Sequence, residues 1–375
     1  MPDRKPETLL GLDLQELTAL VLAAEEPAFR ARQLFDALYR QRVRAGEEIS
    51  TLPKDFRRSL EDQGTLWGRP TIEKKFTSRD STVRYLIQFA DGQSVETVWM
   101  PKGDDGEAGD GTEAGDEVAT AAGFKRSRAT ICVSSQVGCA VDCQFCMTAL
   151  LGIKRNLTAG EIVGQICAVL DDQRVSPPQD RVNLVFMGMG EPFLNYENFM
   201  KSIRLLTEGV GIPEPRMTVS TAGIVPRIYD FGQEEVRPKL AISLNASNDE
   251  LRTRLMPINR KWNLEKLMAA ARDFPLRKRE RLTFEYVLLS EVNDSRQNAR
   301  EVVELVRGLR AKVNLIALNP GPEIAFATPS EPRILEFQKV LLNANVPTFI
   351  RKPRGRDIFA ACGQLKRTSE LVAIS

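Results

Sequence analysis

The sequence contains no histidine in 375 residues. This absence excludes serine–histidine–aspartate and cysteine–histidine catalysis, zinc sites with histidine ligands, and an imidazole general base. Any chemistry in this chain must therefore use thiols, carboxylates, hydroxyls, amides or a bound cofactor.

Long hydrophobic runs are also missing. No stretch of about 18 apolar residues occurs, so no transmembrane helix is expected. The first eight residues carry acids and bases rather than the apolar core of a signal peptide. We therefore expect a cytoplasmic protein whose six cysteines are reduced and available as metal ligands or reactive thiols.

The composition is that of an ordinary globular protein, with 42% hydrophobic and 27% charged residues, which excludes disordered and fibrous classes. The net charge of +2 conceals an acidic excess in residues 1–250 and a basic excess in residues 251–375. A basic C-terminal third is a surface that nucleic acid could use. An ordinary solvated surface explains the same asymmetry.

Residues 1–65 predict a small helical accessory domain that binds RNA. Asp13 and Glu16 form a capping pair, and Leu14, Leu17 and Val21 follow at helical spacing. Its arginines could contact RNA phosphates, although a solvated helix face is an equally simple reading of Arg30, Arg32, Arg40, Arg42 and Arg44.

Residues 66–101 alternate apolar and polar side chains and predict an antiparallel β hairpin with one extra strand, turning at Asp91-Gly92. Residues 102–124 then change to glycine, alanine, threonine and acids. Such a segment has almost nothing to bury, which predicts a mobile acidic insertion.

Residues 125–345 predict a parallel sheet, because six β-branched runs alternate with amphipathic helical stretches. Six βα units are too few for a closed eight-stranded barrel. We expect an α/β fold, an incomplete (βα)6 TIM-like barrel, with an open doubly wound sheet as the alternative. Function would lie at the carboxyl ends of the strands. Residues 346–375 form a basic C-terminal extension.

Cys139, Cys143 and Cys146 stand in a C-x3-C-x2-C spacing just after the first core strand. Three thiols within eight residues can converge only on a metal or a cluster. Structural zinc prefers four ligands, and the loop offers no fourth. A [4Fe-4S] cluster held by three thiolates leaves one iron open for a substrate.

This loop resembles that of radical S-adenosylmethionine (SAM) enzymes. The ordered set of motifs is similar to the RlmN family of adenine-C2 RNA methyltransferases, and it comprises Cys132-Val-Ser-Ser-Gln-Val-Gly-Cys139, Arg155-Asn-Leu157, Gly188-Met-Gly-Glu-Pro192, Ser220-Thr221 and Ala361-Cys-Gly-Gln364. The resemblance runs from the N-terminal helices through Leu365, skipping the acidic insertion. It implies a radical SAM barrel that binds a [4Fe-4S] cluster and SAM.

The resemblance also implies which residues contact SAM. They lie at or just past predicted strand ends and are Gly190, Glu191, Ser220, Ser243, Leu244, Asn245 and Asn319. Many relatives carry histidine where this chain has Asn245. An amide can still donate and accept hydrogen bonds, so we expect activity to persist.

For the reaction, the resemblance implies that Cys362 accepts a methyl group from one SAM and becomes S-methylcysteine. A radical derived from a second SAM then activates that methyl group, which adds to adenine C2. Glu96 matches the family's proposed base, and Cys132 is the second thiol, which releases the product by forming a disulfide with Cys362. Cys167, among Ile162, Val163, Ile166 and Leu170, is expected to be a core residue.

The implied partners are 23S ribosomal RNA, transfer RNA and an electron donor such as flavodoxin, with no membrane and a monomeric state. Two other functions stay open. One is adenine C8 methylation, performed by a resistance-conferring relative with the same residues. The other is a zinc-stabilised RNA-binding protein without catalysis.

Overall fold

The structure is a computed structural model that describes residues 8–62, 64–101 and 128–365. The acidic insertion predicted at 102–124 lies outside these residues. The helices are α1 Leu14–Ala23, α2 Phe29–Asp36, α3 Lys54–Asp62, α4 Ala159–Asp172, α5 Tyr196–Leu205, α6 Val225–Gln233, α7 Asp249–Leu255, α8 Leu264–Asp273, α9 Arg296–Val306 and α10 Glu331–Asn343. Within these described ranges, none of the helices is long and apolar enough to cross a membrane.

The strands are β1 Thr71–Thr77, β2 Val83–Gln88, β3 Ser94–Pro101, β4 Arg128–Cys132, β5 Gln136–Gly138, β6 Ile153–Asn156, β7 Arg181–Phe186, β8 Met217–Thr221, β9 Lys239–Ser243, β10 Leu282–Leu288, β11 Ala311–Ala317 and β12 Thr348–Arg351. All but β5 and β6 form one sheet in the order β1-β2-β3-β4-β7-β8-β9-β10-β11-β12. From β4 to β12 every neighbouring pair is parallel. Helices connect these strands, which confirms the predicted α/β class.

The strand β12 was missed by the sequence analysis, which assigned its residues to the C-terminal extension. This strand is short and ends in a basic residue, so its sequence pattern predicts a strand only weakly. It is recognised by its pairing with β11, in which Thr348 lies opposite Val313. The extension therefore starts as a strand of the main sheet. This places the residues that follow it at the carboxyl edge, where the site was expected.

The predicted antiparallel strands do not stand apart from the barrel. β1 pairs with β2 and β2 with β3, as predicted, and β3 continues antiparallel to β4 with Val98 opposite Cys132. Opposed residues of an antiparallel pair point to the same face. β3 therefore contributes side chains to the same face of the sheet as Cys132.

The N-terminal helices pack firmly against the barrel. The predicted capping box of Asp13 and Glu16 begins α1. Nε of Arg42 lies 2.6 Å from Oδ1 of Asp171 at the end of α4, and the Arg42 side chain is only 11% exposed. Arg42 therefore binds Asp171 of the barrel rather than RNA, whereas the side chains of Arg40 and Arg44 are exposed.

The core continues through α4, whose residues from Ile162 to Leu170 are buried. Cys167 is fully buried among them, which confirms the prediction that this cysteine is a packing residue.

Candidate active site

The three clustered cysteines lie on the connection between β5 and β6, which pair with each other across it. Gly138 begins this connection at φ +79°, and a Cβ there would lie 1.8 Å from the Gly152 carbonyl oxygen. Only glycine can occupy this position. The backbone N–H of Cys139 donates to the same Gly152 oxygen, which closes the loop.

Cys139, Cys143 and Cys146 line one cavity at the carboxyl ends of the parallel strands. Burial raises the pKa of the Cys139 thiol to about 12 and that of Cys143 well above its ordinary value. Over the described ranges, no group of three cysteines or carboxylates is close enough to hold a single metal ion. The fit to a cluster rests on donor chemistry: three thiols face one space, and an iron–sulfur cluster distributes its thiolates over separate irons.

The turn after β7 brings backbone into the same cavity. A Cβ on Gly190, at φ +99°, would lie 2.6 Å from the Gln136 side chain, so the close approach requires glycine. The Glu191 carboxylate accepts hydrogen bonds from the N–H groups of Phe193, at 3.0 Å, and Ala222, at 2.6 Å. Burial nevertheless raises the pKa of Glu191 to about 7.

Ser220 and Ser243 stand at the ends of β8 and β9, with their Oγ atoms 3.2 Å apart. Ser220 also donates to Oε2 of Glu285 on β10, at 2.7 Å. Sequence reasoning missed Glu285, a buried carboxylate that lines the cavity and whose pKa burial raises. The sequence signal for Glu285 was a single acidic residue inside the mostly apolar strand Leu282–Leu288.

Asn245 and Asn319 also line this cavity. Asn245 adopts a left-handed conformation, φ 55°, which asparagine tolerates better than most residues. Its Oδ1 accepts from the N–H of Val287, at 2.9 Å, so part of its amide is already engaged. Leu244 is fully buried and, among the described residues, is not one of those that line the cavity.

A second cavity adjoins the first. It is lined by Val98 and Met100 of β3, Cys132 of β4, the tail from Arg351 to Arg354, and Cys362. Cys362, Asn319 and Cys146 line both cavities. The reactive cysteine inferred from the resemblance therefore stands where the two spaces meet.

Cys362 lies close enough to Cys132 to affect its titration. Burial raises the pKa of the Cys132 thiol, and the charges of Cys362 and Glu285 raise it further. Burial and then the Glu285 charge raise the pKa of Cys362, while Arg351 lowers it. The structure thus brings the two predicted thiols to one place, although 230 residues separate them in the sequence.

Contacts on two sides hold the tail that carries Cys362. Against the cluster loop, the N–H of Met147 donates to the Gly363 oxygen at 2.8 Å, and the Thr148 hydroxyl donates to the Leu365 oxygen at 2.7 Å. Against the barrel, Nδ2 of Asn319 donates to the Cys362 oxygen at 3.3 Å. Movement of the tail would therefore move the cluster loop.

The turn between β1 and β2 fastens the start of the tail. The carboxylate of Asp80 accepts from the N–H of Gly355 at 3.0 Å, and Ser78 donates to Asp357 at 2.5 Å. Gly355 adopts φ +59° there, and a Cβ would lie 2.8 Å from Ala360. The antiparallel strands thus help to position the segment that carries Cys362.

Glu96 lies on β3, two residues before Val98 and on the same face of the sheet as Cys132. It is 1% exposed and forms a buried ion pair with Arg84 of β2, which is itself fully buried. Within the described chain, Glu96 is not one of the residues that line the two cavities. The structure therefore places Glu96 on the same face of the sheet as Cys132. Its carboxylate, however, is paired with the Arg84 guanidinium.

Two family models match the chain. The Radical SAM superfamily matches residues 133–306, and the Ribosomal RNA large subunit methyltransferase N-terminal domain matches residues 8–65. A probable dual-specificity RNA methyltransferase RlmN from Koribacter versatilis (strain Ellin345) is 67% identical over 350 residues, which cover 93% of this chain and 99% of that protein.

A dual-specificity RNA methyltransferase RlmN from Syntrophobacter fumaroxidans (strain DSM 10017 / MPOB) is 43% identical, over 96% of this chain and 98% of that protein. Among solved structures, a radical SAM methyltransferase from Sphaerobacter thermophilus has a TM-score of 0.85 and 41% identity, and the match covers 97% of this chain and 100% of that one. The likeness therefore extends over the helical, antiparallel and barrel regions together.

Proposed function

This chain belongs to the RlmN family of radical SAM methyltransferases, and on that premise we propose that it methylates C2 of an adenine in 23S ribosomal RNA and in transfer RNA. The chain is accordingly an enzyme that uses SAM to methylate RNA. The proposal concerns the position of the methyl group, the two RNAs and the roles of individual residues.

One observation carries the assignment of roles: Cys362 lines both cavities. The first cavity holds the three clustered cysteines, and the second holds Cys132 and the basic tail. A methyl group attached to Cys362 would face both spaces. This position suits a thiol that accepts a methyl group on one side and delivers it on the other.

Cys139, Cys143 and Cys146 would hold the cluster, and Gly190, Glu191, Ser220, Ser243, Leu244, Asn245 and Asn319 would surround SAM. When bound, the cluster and SAM supply methyl groups and one-electron radical chemistry. The protein's own part is to orient the cofactor against Cys362 and to exclude water. Leu244 could contribute only backbone groups, since its side chain is buried away from the cavity.

Cys362 is the methyl acceptor in this proposal, and S-methylcysteine is its intermediate. After transfer of the methyl carbon to adenine and loss of one electron, equal to the one that the donor supplied, Cys362 is bridged to RNA. The Cys132 thiolate then attacks the Cys362 sulfur, so that the disulfide forms as the sulfur–carbon bond to RNA breaks and the released carbon takes up a proton to become the methyl group. Both residues line the second cavity. Glu96 would take the C2 proton, which requires its carboxylate to turn from Arg84 toward the RNA.

Phosphate contacts by the tail from Arg351 to Arg354 would place RNA beside Cys362. These residues line the second cavity rather than a remote surface. The proposal includes an external electron donor such as flavodoxin and action as a monomer, both carried over from the family resemblance.

The test is anaerobic reconstitution with iron and sulfide, then reaction of the reduced enzyme with SAM and both RNAs, followed by nucleoside mass spectrometry. We expect 2-methyladenosine, and a matched reaction without reductant should give none. Absence of any methyladenosine from the reduced enzyme would refute the proposal. Methylation at C8 alone would select the other isomer, and a colourless protein containing zinc would indicate the non-catalytic alternative.

A further inference from the structure

Arg252 is a fully buried cation with neutral hydrogen-bond partners. It lies on α7, and its guanidinium donates to the carbonyl oxygens of Ala222 at 2.7 Å, Ser243 at 3.1 Å and Leu244 at 3.2 Å. A further bond of 3.0 Å goes to Oδ1 of Asn259. Burying a charge with neutral partners alone is costly.

Two other buried arginines are compensated differently. Arg84 pairs with Glu96, and Arg237 pairs with Glu280 at 2.8 Å. For Arg252, no carboxylate oxygen of the described residues lies within 4.0 Å. The nearby Asp249 raises the pKa of Arg252, but its Oδ1 accepts from Asn259 and from the N–H of Leu264.

The Arg252 guanidinium is charged at neutral pH. Burial lowers its pKa to about 10, while the charges of Cys143 and Asp249 raise it. A pKa of about 10 leaves the group protonated near pH 7. The protein therefore keeps a full positive charge in its interior, and its direct hydrogen-bond partners among the described residues are neutral.

The end of α7 packs directly against the cysteine loop. The N–H of Gln144 donates to the Leu255 oxygen at 3.0 Å. Cys139 and Cys143 pack against a small buried cluster that contains Leu255, Met256 and Ala222. Arg252 thus stands behind the wall of the first cavity, on the side where the thiols lie.

We propose that Arg252 is the internal counter-charge of the iron–sulfur cluster and raises its reduction potential. This inference deepens the proposed function and rests on it, since it requires a cluster on the three cysteines. Each bound thiolate brings negative charge, and one-electron reduction adds one more. A fixed cation nearby stabilises the reduced state more than the oxidised state, which favours reduction.

The same guanidinium positions the cofactor wall. Its three carbonyl contacts lie at or just past the ends of β8 and β9, in the segments that carry Ser220 and Ser243. Arg252 would therefore affect the cluster through its positive charge. It would affect the SAM site by fixing the positions of these carbonyl groups and of the segments that contain them. It is a positioning residue, because among the described residues it is not one of those that line the cavity.

The test is a redox titration of the reconstituted enzyme without SAM, followed by the electron paramagnetic resonance signal of the reduced cluster. At the wild-type midpoint potential, Arg252→Gln should lower the ratio of reduced to oxidised cluster about tenfold, a shift of about 59 mV for a one-electron couple. Arg252→Lys keeps the charge and should stay within about twofold of wild type, using the same conversion.

Arg237→Gln is the matched control, because it removes a buried arginine that pairs with Glu280 instead. It should leave the ratio unchanged whatever it does to stability. An unchanged ratio in Arg252→Gln, or a tenfold fall in Arg252→Lys, would overturn the inference. If Arg252→Gln holds no cluster, a cluster in Arg252→Lys with a ratio near wild type supports the inference, because that variant restores only the charge, whereas loss of the cluster from both variants would overturn it. A wild-type protein that binds no cluster would instead refute the proposed function itself.

Discussion

The two cavities that meet at Cys362 differ in charge and in construction. The first is lined by the three clustered thiols, by Cys362 and by the carboxylates of Glu191 and Glu285, and the turns that follow successive strands build it. The second is lined by arginine and lysine side chains of the tail, and distant parts of the chain build it. The first suits a cationic cofactor and its cluster, whereas the second suits a polyanion.

This difference indicates a division of labour. Negative charge on the carboxylates of the first cavity would repel RNA phosphates from the cofactor side, while the basic tail attracts them to the other. Cys362 lines both spaces, and in the proposed reaction it would be the covalent link between them. Substitutions can therefore remove the link, or change one cavity without the other.

Removal of the link should have the largest effect. In Cys362→Ala no sulfur remains to accept a methyl group, so we expect RNA methylation to fall by at least about 10³-fold. Mass spectrometry of nucleosides measures this loss. Cys167→Ala removes a thiol from the core of α4 and should retain methylation per folded molecule. A Cys362→Ala enzyme that retained a tenth of wild-type activity would contradict the proposal that Cys362 links the two cavities.

Removal of the thiol in the second cavity should stop the reaction later. In Cys132→Ala, methyl transfer to Cys362 and attack on adenine remain possible, but no thiol is left to release the RNA. We expect a covalent protein–RNA adduct, visible as a shifted band with labelled RNA on a denaturing gel. The Cys362→Ala variant should give no such band. Free, fully methylated RNA from Cys132→Ala would contradict the assigned roles.

The first cavity was largely predictable from sequence, because its residues come from local motifs. The cysteine spacing, the glycines before Glu191 and the serines at strand ends each sit where a parallel sheet ends. Glu285 was the exception, because a single acid in an apolar strand shows its role only when Ser220 is placed beside it.

The second cavity was less predictable, because it depends on long-range packing. No local pattern indicates that Asp80 accepts a hydrogen bond from Gly355, or that β12 carries the tail to the site. Arg84 could not be recognised as the partner of Glu96 until β2 and β3 were in register. Family resemblance suggested Cys132 and Cys362, but only the fold brings them together.

The acidity of the first cavity predicts a pH-dependent stability. Burial raises the pKa of Glu191 from 4.5 to about 7. Between these values the folded protein keeps a proton that the unfolded chain has lost, so this group's contribution to stability falls as pH rises. From pH 5 to 8, Glu191→Gln should gain about 2.5 kcal/mol relative to wild type in urea unfolding of the cluster-free protein.

The exposed Glu265→Gln on α8 is the control for that measurement and should follow wild type at both pH values. If Glu191→Gln instead loses stability relative to wild type as pH rises, the pKa of Glu191 is lowered in the folded protein rather than raised. That result would mean that the two backbone N–H groups hold Glu191 as a carboxylate in spite of its burial.

The smallest expected effect belongs to the basic side. Lys352 is exposed and lines the second cavity, so Lys352→Gln should weaken RNA binding a few-fold and reduce the slope of log affinity against log salt by about one. Lys266→Gln, on the exposed face of α8, should leave the slope unchanged. An equal loss of RNA affinity in both variants would mean that RNA is attracted by the overall positive charge. The second cavity would then not be a specific RNA-binding site. A loss confined to Lys352 would locate at least one phosphate beside Cys362, the thiol that must reach the base.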